Sequence, residues 1–316
     1  MNIAQAISNS RLVVTLRHTA EQITPWGFEG ISLFAVAKFV WEGMRKGRLA
    51  TRASAISFKI LLALAPTIIL VFTLIPYIPI SDFQSNLIEG IEGLLPHSAY
   101  QLVQGTLMNL IGYKHQTFLS ISFVLGLYYA SNSIMAIFEG FSASYHVQQR
   151  LHPLRSRLVA IVLVFLLPFL IVPPFLVITT SEWILNYLTQ SGLLKEGIEI
   201  FLVLVSKWFT VLLFFNLAIA VIYYVGNPRQ KTFRYLTPGS ILATLSFIAV
   251  SQGFAYYVNH FGNYNKFYGS LGTIVVLLVW IEFNSIILLI GYELNASIQK
   301  ALGNAEKTEK SLKQTI

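Results

Sequence analysis

Six long runs of apolar residues constrain the fold of this 316-residue chain more than any other feature. A helix needs about 20 consecutive, mostly apolar residues to cross the hydrocarbon core of a bilayer. The six runs have about that length and lie near residues 53–76, 118–141, 158–180, 201–225, 236–258 and 270–292. We therefore predict six transmembrane helices in one membrane domain, residues 53–295.

The residue composition also indicates an integral membrane protein. Only 11% of the residues are charged and 55% are hydrophobic, whereas roughly a quarter of the residues of a soluble domain are charged. A membrane β-barrel is the alternative, but its strands are about 10 residues long and alternate every second residue, and these runs do not alternate. We predict an all-α membrane bundle. Pro168, Pro173 and Pro174 predict that the third helix is bent or broken.

Lysine and arginine residues cluster in alternate connections between the runs. The segment before the first run, the connections after the second and fourth runs, and the C-terminal segment are all basic. The connection after the first run instead contains more acidic than basic residues, with Lys114 as its basic residue and Asp82, Glu89 and Glu92 as its acidic ones. Since loops rich in Lys and Arg stay in the cytoplasm, we predict a multi-pass protein of the bacterial inner membrane with cytoplasmic N- and C-termini. This topology accounts for the net charge of +8, so we predict no nucleic-acid partner.

Residues 1–52 form a cytoplasmic or interfacial segment with an amphipathic pattern. Lys38, Glu42 and Arg45 recur at helical spacing within an apolar run that is too short to span a bilayer. Two interpretations remain open: an interfacial helix on the inner leaflet, or a helix that packs against the bundle as a cap.

Two further segments lie outside the predicted spans. In residues 81–113, the pairs Ser81 with Gln84 and Ser98 with Gln101 have capping-box spacing and predict an outer helical hairpin. The hairpin is interpreted as a lid or as a substrate gate. Residues 296–316 are a polar cytoplasmic tail that we expect to be frayed or disordered.

Polar residues inside the predicted spans are the candidate functional residues, because such residues are costly in a bilayer and face a bundle interior or water. Glu282 and Asn284 lie in the last span, Lys59 in the first and Asn132 in the second. We predict a polar cavity lined by these four residues. The alternative is that they form interhelical hydrogen bonds and an ion pair that fix the helix register.

Glu293 and Asn295 repeat the pair of Glu282 and Asn284 eleven residues later. Eleven residues are close to three helical turns, so both pairs are predicted to lie on one face of the last helix.

Motifs for catalysis are absent from the sequence. The chain has no cysteine, and its 6 histidines are spread over segments on both sides of the predicted membrane. It has no H-E-x-x-H, Walker or G-x-S-x-G motif. We therefore predict no catalytic residue, no metal, no cofactor and no enzyme activity.

Three sequence blocks carry a resemblance to a known family. They are the stretch from Arg52 to Pro66, the stretch from Tyr268 through Gly269 to Gly272, and the stretch from Gly291 through Glu293 to Asn295. The chain resembles the YihY/BrkB family, also called UPF0761, over most of its length. Glu282 departs from the family pattern, which has an aromatic or small polar residue there.

The resemblance implies a bacterial inner-membrane protein with six helices and cytoplasmic termini. Family members carry an old ribonuclease label, a serum-resistance virulence label and suggestions of envelope lipid export. We expect a transporter or a protein similar to a lipid flippase, with membrane lipids as partners. A non-catalytic envelope scaffold is the alternative, and a membrane ribonuclease ranks last. Small-residue seams such as Gly239 with Ala243 fit contacts within one chain or within a homo-oligomer.

Overall fold

The computed structural model is helical and contains no β-strand in the residues that it describes. These are residues 23–25, 27–77, 116–144, 152–191, 197–227, 230, 232–261 and 270–315, together with 84, 85, 88, 104, 105, 108, 111 and 113 in the first long connection. Most of the predicted outer hairpin, residues 81–113, therefore lies outside the described residues.

Seven α-helices organise the described parts of the chain. They are α1 (Leu33–Lys46), α2 (Leu49–Leu74), α3 (Gln116–Ser142), α4 (Pro153–Gln190), α5 (Ile198–Gly226), α6 (Pro238–Phe261) and α7 (Ser270–Thr315). A 3-10 turn, Ile75–Tyr77, follows α2. Six helices, α2 to α7, are long and apolar enough to cross a membrane. The predicted all-α bundle of six transmembrane helices is confirmed.

The six long helices form a closed ring. Each helix from α2 to α6 packs against the next one along the chain, and α7 packs against α2. Helix α3 also contacts α5 and α7, so these three helices meet. We call the end of the ring where α2, α4 and α6 begin the basal end.

The outer surface of the ring is strongly apolar. Large side chains such as Val124, Val162, Phe169 and Phe209 are more than half exposed. An apolar surface of this extent is expected to face lipid, because the helices satisfy their backbone hydrogen bonds internally and can expose side chains to hydrocarbon.

Helix α4 continues across the three prolines that were predicted to bend or break it. It runs unbroken from Pro153 to Gln190 with Pro168, Pro173 and Pro174 inside it. A proline removes only one backbone hydrogen bond, and helices in membranes tolerate this loss where the freed carbonyl finds a local partner. The predicted break is therefore wrong.

Helix α1 packs on the part of α7 that extends beyond the ring. Phe28, Val36 and Ile298 form a buried cluster there, and Val40 and Leu302 pack against it. One side of α1 is thus covered as expected for a cap, while Trp41 on another side is 63% exposed.

The segment after the last span continues as helix. We expected residues 296–316 to be frayed or disordered, but α7 extends to Thr315. Ala296, Ile298 and Ala301 are buried. The expectation was wrong. At the start of the segment, Ile298 and Leu302 pack with Phe28 and Val36, and this packing stabilises the first of the added turns.

Two residues of the first long connection contact the end of α2 opposite the basal end. Ile111 is fully buried against Ile75, and Ile88 and Phe72 pack against the same pair. Part of the connection therefore folds back onto the bundle.

Candidate functional site

A buried ion pair joins the first and last helices of the ring. Nη2 of Arg52 on α2 donates to Oε1 of Glu293 on α7 at 2.8 Å. Nη1 of Arg52 donates to the carbonyl of Gly140 on α3 at 2.8 Å, and Oγ of Ser144 donates to Oε2 of Glu293 at 2.7 Å. Glu293 is fully buried. A buried carboxylate is tolerated only with such partners, and here both of its oxygens accept a hydrogen bond.

Three aromatic rings pack beside this ion pair. Phe141 on α3 stacks on Tyr292 on α7 with ring centroids 3.9 Å apart and an interplanar angle of 3°. Tyr223 on α5 meets both rings edge-on, at 5.7 Å and 5.9 Å, and its hydroxyl donates to the carbonyl of Leu288 at 2.7 Å. Edge-to-face and stacked rings attract one another beyond their buried area. The three rings therefore hold α3, α5 and α7 together near the basal end.

Asn295 on α7 binds the first turn of α6. Its Oδ1 accepts from the backbone N–H of Gly239 at 2.8 Å, and its Nδ2 donates to Oγ1 of Thr237 at 3.0 Å. Thr237 also accepts from the N–H of Ser240 at 3.1 Å. The first N–H groups of a helix lack partners within the helix. Asn295 and Thr237 supply acceptors for two of these N–H groups, those of Gly239 and Ser240. Pro238 has no N–H group and needs no acceptor.

The same region contains a close approach of two backbones. A Cβ atom on Gly239 would collide with the carbonyl of Gly291 and would lie 2.6 Å from Cγ of Asn295. A Cβ atom on Gly291 would collide with the Tyr223 hydroxyl and lie 2.5 Å from the carbonyl of Gly239. Both positions require glycine because any side chain would separate α6 from α7.

The structure does not bring Glu282 and Lys59 together. Oε1 of Glu282 accepts from Oγ of Ser54 on α2 at 2.5 Å. Nζ of Lys59 instead lies 3.2 Å from Oε2 of Glu139 on α3, with side chains 38% and 65% exposed. Glu282 and Glu293 do both bind α2, as their spacing of eleven residues predicts.

The two predicted asparagines also lie apart. Oδ1 of Asn132 accepts from Nη1 of Arg157 on α4 at 2.5 Å, and the guanidinium of Arg157 lies 5.2 Å from the centroid of the Tyr128 ring. Nδ2 of Asn284 donates to the carbonyl of Trp280, one turn earlier in α7, at 2.8 Å. Of the four residues predicted to line a polar cavity, only Asn284 lines the central cavity described next.

A cavity of about 360 Å³ lies among five of the six long helices. Its lining includes Ile60 on α2, Leu167 on α4, Ile219 on α5, Phe247 on α6 and Leu288 on α7. Polar lining is confined to Asn284, Ser285 and Trp280. The volume lies in the range of about 300–1,000 Å³ that is usual for ligand sites. We call this space the central cavity.

The polar groups at the central cavity are mostly paired. Oγ of Ser285 donates to the carbonyl of Ile281 at 2.8 Å, and Nε1 of Trp280 donates to Oγ of Ser251 at 3.3 Å. Oδ1 of Asn284 is buried and has no partner among the described residues. The cavity is thus suited to an apolar molecule. Sequence reasoning missed it because its lining is almost wholly apolar, and apolar residues in a membrane span carry no distinctive signal.

The other residues of the family blocks are placed as follows. Pro66 lies inside α2, where its carbonyl would be 3.7 Å from a Cβ atom on Gly126 of α3. Gly272 is buried near the start of α7. Tyr268 and Gly269 lie outside the described residues. The blocks around Arg52 and Glu293 thus meet in space, although they are 241 residues apart in sequence.

Outside the spans, Tyr235 connects α5 to the chain before α6. Its hydroxyl donates to the carbonyl of Leu213 at 2.8 Å, and Nδ2 of Asn216 donates to its carbonyl at 2.8 Å. Burial raises the pKa of the Tyr235 phenol, against a smaller opposite contribution from Asn216. The phenol therefore remains a hydrogen-bond donor at neutral pH.

Within the described residues, no three His, Asp or Glu side chains are grouped so that they could hold a metal ion.

Comparison with known proteins places the chain among membrane proteins. The sequence model of a family described as "Virulence factor BrkB" matches residues 40–315. "UPF0761 membrane protein NTHI0384" of Haemophilus influenzae is 24% identical over 273 residues, which cover 85% of this chain and 97% of that protein. "Putative ribonuclease-like protein YfkH" of Bacillus subtilis is 27% identical over 250 residues, 79% of this chain and 90% of that protein. No solved structure matches.

Proposed function

The chain belongs to the virulence factor BrkB family of membrane proteins, and we propose that it is a transporter of lipids, or of molecules that share their long apolar part. The observation that carries this proposal is the central cavity, about 360 Å³ in volume and lined by five of the six long helices. A purely structural bundle has no need of such a space, since helix interiors pack at high density.

The lining of the central cavity favours an apolar substrate. It holds no charged side chain, and Asn284 is the one amide among its residues. A sugar or an ion would lose its water there without gaining new partners, which is costly. An acyl chain does not have this cost, because it has no hydrogen bonds to water that it would lose on entering the cavity. Transporters commonly bind their substrates between helices near the middle of the membrane, and this cavity lies between helices.

We further propose that the protein lies in the bacterial inner membrane with its basal end and both termini in the cytoplasm. The basic residues of the chain support this orientation. The exposed residues Lys38, Arg45 and Arg48 precede α2, and Arg155 begins α4. Positive charge next to a span is typical of its cytoplasmic end.

We propose no enzymatic role. The name "ribonuclease-like" belongs to the Bacillus subtilis relative. In this chain, the buried carboxylate of Glu293 is bound by both Arg52 and Ser144, so it has no access to a substrate phosphate.

A non-catalytic envelope scaffold is the second candidate. The contacts that favour it are the hydrogen bonds at the basal end. There each of three residues binds a group on another helix of the same chain: Arg52, Glu293 and Asn295. A scaffold needs such internal contacts and needs no cavity. The two candidates therefore differ in whether a variant that fills the central cavity slows the movement of lipid.

Lipid movement in reconstituted vesicles tests the proposal. The full chain is placed in vesicles of phosphatidylethanolamine and phosphatidylglycerol that contain phosphatidylethanolamine with a fluorescent acyl chain. Dithionite, which cannot enter the vesicle, bleaches only the outer leaflet. We expect the protein to allow bleaching of the inner-leaflet fluorescence as well, with or without an imposed pH gradient.

Two variants with the same chemical change identify the path. Ala218 is 5% exposed and lines the central cavity, so Ala218→Phe fills it and should slow lipid movement several-fold. Ala255 is exposed on α6, so Ala255→Phe should leave the rate unchanged. No protein-dependent bleaching under either condition contradicts transport and favours the scaffold. Equal rates for both variants remove the central cavity from the path.

A further inference from the structure

The joint between α1 and α2 carries a stripe of basic residues around an exposed tryptophan. Lys38, Trp41, Arg45 and Arg48 follow one another at spacings of three, four and three residues. This spacing places Lys38, Trp41 and Arg45 on one side of α1, and Arg48 lies in the turn after it. All four side chains are exposed.

A notch of about 460 Å³ lies along this stripe. Its lining includes the exposed residues Trp41, Arg45 and Arg48, and the apolar residues Met44 and Leu49. We call this space the basic notch. No acidic residue lines it. Among the described residues, neither Arg45 nor Arg48 has a carboxylate partner.

The position of the basic notch relative to the membrane is set by α2. The first membrane-crossing helix begins at Leu49, which is itself in the lining. The notch therefore lies at the level where the apolar span meets the polar boundary of the bilayer. Tryptophan is enriched at this level, and Lys and Arg next to a span attract anionic headgroups.

The backbone at Arg48 is in the left-handed region, with φ at 48° and ψ at 53°. A residue with a Cβ atom is disfavoured in this conformation, and glycine is the residue that adopts it freely. Gly47 occupies the position immediately before it. An arginine at position 48 thus has no backbone advantage over glycine.

We infer that the basic notch binds one anionic phospholipid of the surrounding membrane. The phosphate lies between Arg45 and Arg48, whose planar guanidinium groups match phosphate oxygens. The upper part of an acyl chain lies on Met44 and Leu49, and Trp41 covers the glycerol region. This inference does not rest on the proposed transport, because binding at the notch requires no movement of lipid through the central cavity.

The test is lipid retention by the full chain in detergent micelles. Dioleoylphosphatidylglycerol and dioleoylphosphatidylcholine, which have the same acyl chains, are titrated separately, and native mass spectrometry counts the lipids that remain bound. We expect one tightly retained phosphatidylglycerol and weaker, non-stoichiometric phosphatidylcholine. Equal retention of the two lipids overturns the inference.

Variants locate the retained lipid. Arg45→Gln and Arg48→Gly each remove a guanidinium from the notch, and both should lose the tightly bound phosphatidylglycerol. Arg155→Gln removes an exposed arginine that lies outside the notch, and it should keep the lipid. Retention by both notch variants, or equal loss in the Arg155 control, contradicts the inference.

Arg48→Gly also separates binding from folding. Because glycine adopts the left-handed conformation without the steric cost that arginine has there, this variant should unfold at about the same temperature as the wild type or higher in lipid-free detergent, while retaining less phosphatidylglycerol. A role of Arg48 in folding alone predicts the opposite pattern.

A final experiment adds soluble glycerol phosphate in excess. Displacement of phosphatidylglycerol by this soluble anion would show a site for free phosphates and would overturn the lipid assignment.

Discussion

Nη2 of Arg52 lies 2.8 Å from Oε1 of Glu293, and this contact closes the ring of helices between α2 and α7. The side chains are 8% and 0% exposed. Each charge is stabilised almost entirely by the other and by the Gly140 carbonyl and the Ser144 hydroxyl. Removal of one partner therefore leaves a charge buried without compensation.

We predict that Glu293→Gln destabilises the protein by about 3–5 kcal/mol, because the Arg52 guanidinium remains buried without an opposite charge. The double variant Arg52→Met with Glu293→Leu should be closer to the wild type than either single variant. Unfolding in mixed micelles with increasing sodium dodecyl sulfate measures these differences. The control is Arg234→Gln, which removes an exposed pair with Glu29 and should cost about 1 kcal/mol or less. Equal effects of the buried and exposed variants would contradict this account.

Replacement of two glycines on α6 by alanine should change the stability of the protein in opposite directions. Gly239→Ala would push a Cβ atom into the Gly291 carbonyl, and overpacking of this kind costs about 1–3 kcal/mol or more. Nothing lies within 4 Å of a Cβ atom on Gly253, so Gly253→Ala should stabilise the helix by about 0.5–1 kcal/mol. Thermal unfolding in detergent measures both. A stabilising Gly239→Ala would contradict the close approach of α6 and α7 at this position.

The polar pairs outside the central cavity should not affect lipid movement. Glu282→Gln retains an acceptor for the Ser54 hydroxyl, and Lys59→Met removes a partly exposed pair with Glu139. Since neither residue lines the central cavity, we expect wild-type rates in the dithionite assay. A loss of movement in Glu282→Gln at unchanged stability would instead support a polar cavity at this residue.

The absence of cysteine from the chain makes a direct test of orientation simple. Single cysteines are introduced by Ser10→Cys, Ser98→Cys and Ser311→Cys, and intact bacterial spheroplasts are treated with a maleimide that does not cross membranes. We expect labelling at position 98 alone, and labelling at 10 and 311 only after the membrane is opened. The reverse pattern would invert the proposed topology.

The number and type of the spans could be predicted because a bilayer demands long apolar helices and the sequence shows their length directly. The helix after Asn295 could not be predicted, since isolated polar helices are marginal and its first turns are stabilised by contacts of Ile298 with Phe28 and Val36, which are distant in sequence. The break expected from the prolines of the third span is not present, because the helix continues across Pro168, Pro173 and Pro174 and helices in membranes tolerate proline.

The candidate site was less predictable than the fold. Glu293 and Arg52 could be recognised as parts of separate blocks, but their contact depends on ring closure over 241 residues. Lys59 and Asn132 pair with Glu139 and Arg157 rather than with Glu282. A span that is apolar on all sides gives no indication of its rotation, so its polar neighbours cannot be assigned from periodicity.

Closure of the ring by α7 imposes an order of events on biosynthesis. Arg52 leaves the ribosome 241 residues before its partner, a delay of roughly 10 to 50 seconds at translation rates of about 5–20 residues per second. During that interval the guanidinium has no carboxylate from α7. A nascent chain that stops before the last helix can never supply one, so truncated products should be recognised and degraded rather than accumulate in the membrane.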